Sequence, residues 1–231
     1  MRIRNCLVLA TMLCTATFMS GAFAATANVN ANDAAARAQD RVTDATQLVH
    51  RMERNPRLAR LLAHSRGVFI IPHYGSAALI VGGRGGGGVV LAHHNGSWTG
   101  PAFFNIAGGS VGLQAGASGG AIALILMTHK GMRRFENGGG AWSFGGQAGL
   151  TVVSYSHDVH ANAGAADIVV WTDKHGLYAG LTARLTRIMP DNSLDRAYYR
   201  RHRANPHEIL AGMVTTPKAS ANALRRALGK L

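Results

Sequence analysis

The sequence predicts an α+β fold: a glycine-rich, strongly curved antiparallel β-sheet or small β-barrel flanked by N- and C-terminal helices. Helical periodicity precedes residue 67, polar helical patterns follow Pro190, and short apolar runs separated by glycine fill the part between them. Of the 29 glycines, 26 lie in residues 67–180, and glycine within strands permits sharp coiling of a sheet. Residues 85–129 contain no Asp, Glu, Lys or Arg, which indicates that this central part is buried.

Residues 1–24 are typical of a secretory signal peptide. Two arginines precede an apolar run at residues 6–19, and small residues stand at the positions expected for cleavage after Ala24. We therefore expect an exported protein, located in the periplasm or envelope or secreted. Both cysteines, Cys6 and Cys14, would be removed, so the mature chain could form no disulfide and no cysteine-based site. The alternative is a lipoprotein anchored through Cys14.

The remainder divides into a flexible leader at residues 25–32 and a single domain at residues 33–231. Within that domain the patterns predict an N-terminal helical segment at 33–64, a glycine-rich β core at 67–188 and C-terminal helices at 191–231.

The N-terminal helix is predicted to be amphipathic. Its narrow apolar stripe follows helical spacing and consists of Val42, Ala45, Val49 and Met52. Four arginines lie on its flank and polar side: Arg37, Arg41, Arg51 and Arg54. The stripe can pack on the sheet or insert into a membrane, and the sequence leaves both readings open.

Nine apolar runs in the central part have the length of strands. They are residues 68–71, 77–81, 89–92, 103–107, 111–115, 122–127, 150–155, 168–172 and 177–185. Alternation of apolar and other residues is clearest in the last run, which is the pattern of a half-buried strand. Residues 130–135 predict a short helix between strands, and residues 191–199, 205–212 and 219–231 predict helices at the C-terminus.

The chain is strongly basic, with a formal net charge of +13. Cleavage after Ala24 removes two arginines and leaves 24 − 2 = 22 basic residues against 11 acidic ones, a charge of +11. Because an exported protein does not meet nucleic acid, this charge favours anionic phospholipid or another envelope phosphate as partner.

Three patterns resemble catalytic or ligand motifs, and none has the context that its chemistry needs. The GxGxxG at residues 83–88 is followed by a strand-like run rather than the helix that a dinucleotide site requires. The GxSxG around Ser110 is also not followed by a helix-like pattern, and nothing in the sequence orients Asp167 and His175 as triad partners. The pairs His93-His94 and His157-x-x-His160 lack a third metal ligand. The sequence predicts no catalytic residue, metal or cofactor.

Six segments in order resemble the SYLF domain family, which binds lipid and in fungi is associated with actin. They are residues 66–72, 82–91, 98–103, 106–116, 176–181 and the pair Tyr198-Tyr199. The resemblance covers residues 35–210.

The resemblance implies a non-enzymatic module that binds membrane lipid through an amphipathic N-terminal helix, with phosphoinositides as ligands in eukaryotic members. Carried over by position, the candidate lipid-binding residues are Arg37, Arg41, Arg51 and Arg54. The actin-binding activity of fungal relatives is not transferred. Two alternatives stand beside this hypothesis: an outer-membrane β-barrel, and an envelope protein with a structural or protein-interaction role.

Overall fold

The computed structural model describes residues 16–75, 83–109, 119–137, 140–144, 149–155, 166–173, 186–215 and 218–231. Six helices are present in these ranges: α1 (Ala16–Met52), α2 (Pro56–Ala63), α3 (His129–Glu136), α4 (Asn192–Tyr199), α5 (Pro206–Leu210) and α6 (Ala219–Gly229). Nine strands are present: β1 (Gly67–Tyr74), β2 (Gly83–His94), β3 (Ser97–Trp98), β4 (Ala102–Gly109), β5 (Gly120–Leu126), β6 (Trp142–Phe144), β7 (Val152–Ser154), β8 (Ile168–Thr172) and β9 (Thr186–Pro190).

The strands form one sheet in the order β6-β9-β4-β2-β1-β5-β8-β7, and β3 pairs with β2 beside this path. The sheet is strongly curled into a half-barrel with helices at the N- and C-terminal regions, which confirms the predicted α+β class and the predicted curvature. All pairs are antiparallel except β7 with β8, which is parallel. Among the described strands, the β7–β8 pair is the one departure from the predicted antiparallel pairing.

The central strand β1 is buried over nearly its whole length, and a strand covered on both faces reads as a continuous apolar run. Phe103 and Phe104 of β4 lie on opposite faces of the sheet, because successive side chains of a strand point to opposite sides. Phe104 meets the Phe135 ring of α3 at 5.3 Å between centroids, whereas Phe103 meets the Tyr198 ring of α4 at 5.2 Å. The sheet consequently has α3 on one face and α4 on the other.

Local sequence signals account for several turns and helix ends. Asn95 and Gly96 join β2 to β3 with φ of 49° and 77°, which is the Asn-Gly hairpin chemistry that a tight turn requires. The side chains of Thr128, Asp191 and Asn205 accept hydrogen bonds from the first turns of α3, α4 and α5. These caps explain why the three helices begin close to their predicted positions.

Helix α1 begins at Ala16 rather than at Asp33, so the flexible leader predicted at residues 25–32 was wrong. The stretch is rich in alanine, the best helix former, and adding a residue to an existing helix costs far less than nucleating a new one. The predicted strands at 77–81, 111–115 and 177–185 lie outside the described residues. Within the described residues, no helix combines the length and the apolar character needed to cross a bilayer.

Candidate functional site

The apolar stripe of α1 is packed inside the fold. Val42, Ala45 and Val49 have no exposed surface, and Met52 is 1% exposed. The helix packs against α4 and α6 and against strands β1 and β2. Of the two readings that the sequence leaves open, the structure has the docked helix, and the stripe is not free to enter a membrane in this conformation.

The four candidate arginines are not equivalent. Arg37, Arg51 and Arg54 are exposed, whereas Arg41 is only partly exposed and lies over the sheet. Its guanidinium occupies the space above Gly87 of β2, where any other residue would place its Cβ. A side chain at position 87 would exclude Arg41, so the glycine makes the close approach possible.

Arg41 is paired inside the molecule. Its Nη1 lies 3.6 Å from Oδ2 of Asp191. Burial lowers the pKa of Arg41, and the negative charge of Asp191 counteracts that effect. The guanidinium nevertheless stays charged at any physiological pH. Arg41 therefore acts as a tie between α1 and the start of α4.

Asp191 connects three elements. Its Oδ2 accepts a hydrogen bond from Nδ2 of Asn105 on β4 at 3.0 Å. Its Oδ1 accepts from Oγ of Ser193 at 2.6 Å and from the Leu194 amide, which caps α4. Burial alone would raise the pKa of Asp191, but these hydrogen bonds and the charge of Arg41 lower it below its usual value.

The rest of the exposed face of α1 carries charges of both signs. Asp33 and Asp40 are exposed alongside Arg37. Asp44 lies 3.2 Å from Nε2 of His73, and His50 is equally close to Glu53. The polar face of α1 thus combines its candidate arginines with acidic neighbours.

A second basic cluster lies on α4 and α6 and at the capping residues of these two helices, and it was not predicted as a site from the sequence. It is formed by Arg196, Arg200, Lys218 and Arg225, and we call it the C-terminal basic surface. The Nζ of Lys218 stands 4.1 Å above the centre of the Tyr198 ring. The signal that could have found it is charge: residues 196–231 hold eight basic residues and one acidic residue.

The motifs that resemble catalytic sites have structural explanations where they are described. Residues 83–88 all lie inside strand β2, so no helix N-terminus follows that glycine run. Both carboxylate oxygens of Asp167 are engaged, Oδ1 by Thr128 at 2.6 Å and Oδ2 by the Thr151 amide at 2.9 Å. These two hydrogen bonds join the start of β8 to the β5–α3 turn and to the residue before β7. Ser110 and His175 lie outside the described residues.

The two histidines at the end of β2 form hydrogen bonds to backbone carbonyls of neighbouring segments. Nδ1 of His93 lies 3.1 Å from the Ser65 carbonyl, and Nε2 of His94 lies 3.0 Å from the Leu210 carbonyl. Among the described residues, no three His, Cys, Asp or Glu side chains are grouped as metal ligands would be. His157 and His160 are outside the described ranges.

Residues 107–231 match the model of the Ysc84 family, described as Las17-binding protein actin regulator. Ysc84 is the SYLF family that the sequence resembles, so the resemblance is confirmed. It is a family of binding domains rather than of enzymes, known for lipid binding and actin regulation. No curated protein and no solved structure matches the chain. The match extends over 125 of the 231 residues, from the end of β4 through α6, and the chain belongs to the Ysc84 (SYLF) family.

Proposed function

We propose that this protein is a non-enzymatic module that binds anionic phospholipid or other phosphate headgroups at the surface of the cell envelope. Its family is known for lipid binding. The observation that carries the proposal is the excess of positive over negative charge among the exposed side chains. Among the described residues, sixteen Arg and Lys side chains are exposed, against three Asp and no Glu. Such a surface attracts membranes that carry negative charge.

The magnitude of this attraction indicates how many charges must take part. Each basic residue near an anionic membrane contributes about 1 kcal/mol, so four arginines give about 4 kcal/mol and a dissociation constant of about 1 mM. Because the apolar stripe of α1 is buried, it adds nothing in the docked conformation. Micromolar binding needs about eight charges at the membrane. The exposed basic residues are numerous enough to supply them.

Of the four candidate arginines, Arg37, Arg51 and Arg54 have exposed side chains that are accessible to a phosphate. Arg41 differs from these three, because it is already paired with Asp191 and a phosphate would have to displace that carboxylate. We expect Arg41 to contribute to stability rather than to lipid contact.

We also propose that the protein is exported and that its N-terminal segment is cleaved. Cleavage after Ala24 would remove residues 16–24 of α1 and would leave its buried stripe in place. The available anions would then be envelope phospholipids or other envelope phosphates, and neither nucleic acid nor actin is proposed as a partner.

The proposal is tested by co-sedimentation of the chain from Ala25 onward with vesicles. We expect it to pellet with phosphatidylglycerol vesicles and not with phosphatidylcholine vesicles. Raising NaCl from 0.05 to 0.5 M should release it, because the screening length falls from about 14 Å to about 4 Å. Equal pelleting with both lipids, or pelleting that ignores salt, would contradict the proposal.

A further inference from the structure

The C-terminal part of the chain concentrates positive charge. Residues 196–231 contain eight basic residues and one acidic residue, Glu208, so their net charge is 8 − 1 = +7. Helix α6 has no acidic residue at all. By contrast, residues 33–54 of the α1 segment contain four arginines and four acidic residues, which balance.

The two acidic residues of the α4 region do not offset this charge at the surface. Asp191 is held by Arg41, Asn105 and its own helix. Asp195 has no exposed surface, and its Oδ1 accepts the amide hydrogen bond of Phe103 at 3.0 Å. Both carboxyl groups face the sheet, so the exposed charged side chains on α4 and at its C-terminal end are those of Arg196 and Arg200.

Two basic groups of the α6 region lie close to one aromatic ring of α4. Lys218 lies over Tyr198, and Arg225 is close enough to act electrostatically on the hydroxyls of both Tyr198 and Tyr199. Burial, and after it the positive charge of Arg200, lowers the pKa of Lys218. Like charges held this close repel one another, and an anionic partner relieves that repulsion.

This surface is fixed to the rest of the fold. The Tyr198 hydroxyl is 2.8 Å from Oγ of Ser220, which donates to Oε1 of Gln39 on α1 at 2.9 Å. These contacts join α4, α6 and α1 at one point. The charges are thus presented on packed helices, and little ordering cost is needed when a flat charged surface approaches.

We propose that the C-terminal basic surface on α4 and α6, rather than α1, is the face that lies on an anionic bilayer. The inference rests on the proposed lipid-binding function and adds the orientation of the protein. In this orientation α1 stays docked on the sheet and holds α4 and α6 in place through its contacts with both.

The test compares two variants that lose the same number of charges. Arg196→Gln with Arg200→Gln removes two charges from the C-terminal basic surface, and Arg37→Gln with Arg51→Gln removes two from α1. Affinity for vesicles of equal parts phosphatidylglycerol and phosphatidylcholine is measured at 0.1 M NaCl. The first variant should bind about 25-fold more weakly, at about five-fold for each charge. The second should bind less than about three-fold more weakly.

A second form of the first variant guards against a folding defect. Arg200 ends α4 with φ of 53°, a conformation that glycine adopts more easily than arginine. Arg200→Gly should therefore keep the fold and still weaken binding about five-fold. Far-ultraviolet circular dichroism and urea unfolding check that all variants are folded.

The outcomes separate this inference from the function on which it rests. If the parent chain fails to bind anionic vesicles, the proposed function is wrong and the inference falls with it. If the parent chain binds and the two double variants lose affinity equally, or the α1 variant loses more, only the assigned face is wrong. Release by a few millimolar inorganic phosphate, at constant ionic strength, would indicate a discrete phosphate site and would overturn the bilayer proposal.

Discussion

At the residue scale, Gly87 and Arg41 depend on each other. The guanidinium of Arg41 fills the space above Gly87 and reaches Asp191, so a charged side chain of a helix lies against the backbone of a strand. The resemblance to the SYLF family, carried over by position along the N-terminal helix, implied that Arg41 faces phosphate. Its inward use could not be predicted, because it depends on a glycine 46 residues away and on an aspartate far along the chain.

Because Gly87 and Arg41 depend on each other, the effect of Gly87→Ala on the free energy of unfolding should change sign when Arg41 is removed. Gly87→Ala should lower the free energy of unfolding by about 1 kcal/mol, because the new methyl group displaces Arg41 from Asp191. In an Arg41→Ala background the same substitution should raise it by about 0.5 kcal/mol, since alanine restricts the unfolded chain more than glycine does. Urea unfolding of the four proteins measures both effects. The same sign in both backgrounds would show that Arg41 does not occupy this space.

Asp195 and Asp191, the two carboxyl groups of the α4 region, should make the free energy of unfolding depend on pH in opposite directions. Burial, and then the charge of Asp191, raises the pKa of Asp195 well above its usual value. Folding therefore favours the protonated form, and this group costs stability increasingly as pH rises above about 3.9, the usual pKa. Asp195→Asn keeps an acceptor for the Phe103 amide and cannot ionise. We expect its stability relative to the parent chain to increase from pH 4 to pH 8 in urea unfolding.

Asp191 is the matched comparison. Its pKa is lowered, so its contribution is present above the usual pKa and is lost as pH falls through the folded value. Asp191→Asn should thus be most destabilising near pH 7 and least so near pH 3. If the two variants follow the same pH profile relative to the parent chain, the assignment of the two environments is wrong.

At the scale of elements, α1 is part of the core rather than a free amphipathic helix. Its buried positions include Ala38, Val42, Ala45 and Val49, each about one turn from the next. Spacing predicts such a stripe from sequence alone, but it cannot tell whether the stripe meets a sheet or a bilayer. The answer depends on what α4, α6 and the sheet leave uncovered.

The docked helix predicts unequal effects of one substitution at adjacent positions. Val42→Asp places an unpaired carboxylate in the core and should cost more than about 3 kcal/mol of unfolding free energy. Thr43→Asp introduces the same side chain on the exposed face and should change it by less than about 0.5 kcal/mol. Urea unfolding at pH 7 distinguishes them, and similar effects at both positions would mean that α1 is not docked in solution.

Other elements show what local sequence can predict. The strands around β1 and the helices α3 to α6 carry strong local signals in apolar runs and caps, and the structure has them close to the predicted positions. The parallel pairing of β7 with β8 could not be predicted, because strand direction depends on where the intervening chain runs. The early start of α1 was missed because its asparagines indicate a cap while its alanines continue the helix.

At the scale of the whole molecule, charge distribution links the fold to the proposed function. Composition alone predicted a basic surface, and the structure adds that most acidic side chains are buried, paired or only partly exposed. The C-terminal basic surface then arises because α1 brings α4 and α6 together. Membrane attachment of this kind needs no rearrangement of the fold, since the charges already face outward.

In the proposed function, the protein binds anionic membranes through surface charge while α1 stays docked. Hydrogen exchange of backbone amides in residues 38–52, followed by mass spectrometry, tests it most directly. Measurements are compared without vesicles, with phosphatidylcholine vesicles and with saturating phosphatidylglycerol vesicles. We expect exchange in this segment to be equally slow in all three conditions, while exchange in residues 196–203 slows only with phosphatidylglycerol. Faster exchange across residues 38–52 on binding phosphatidylglycerol would show that α1 leaves the sheet and would contradict it.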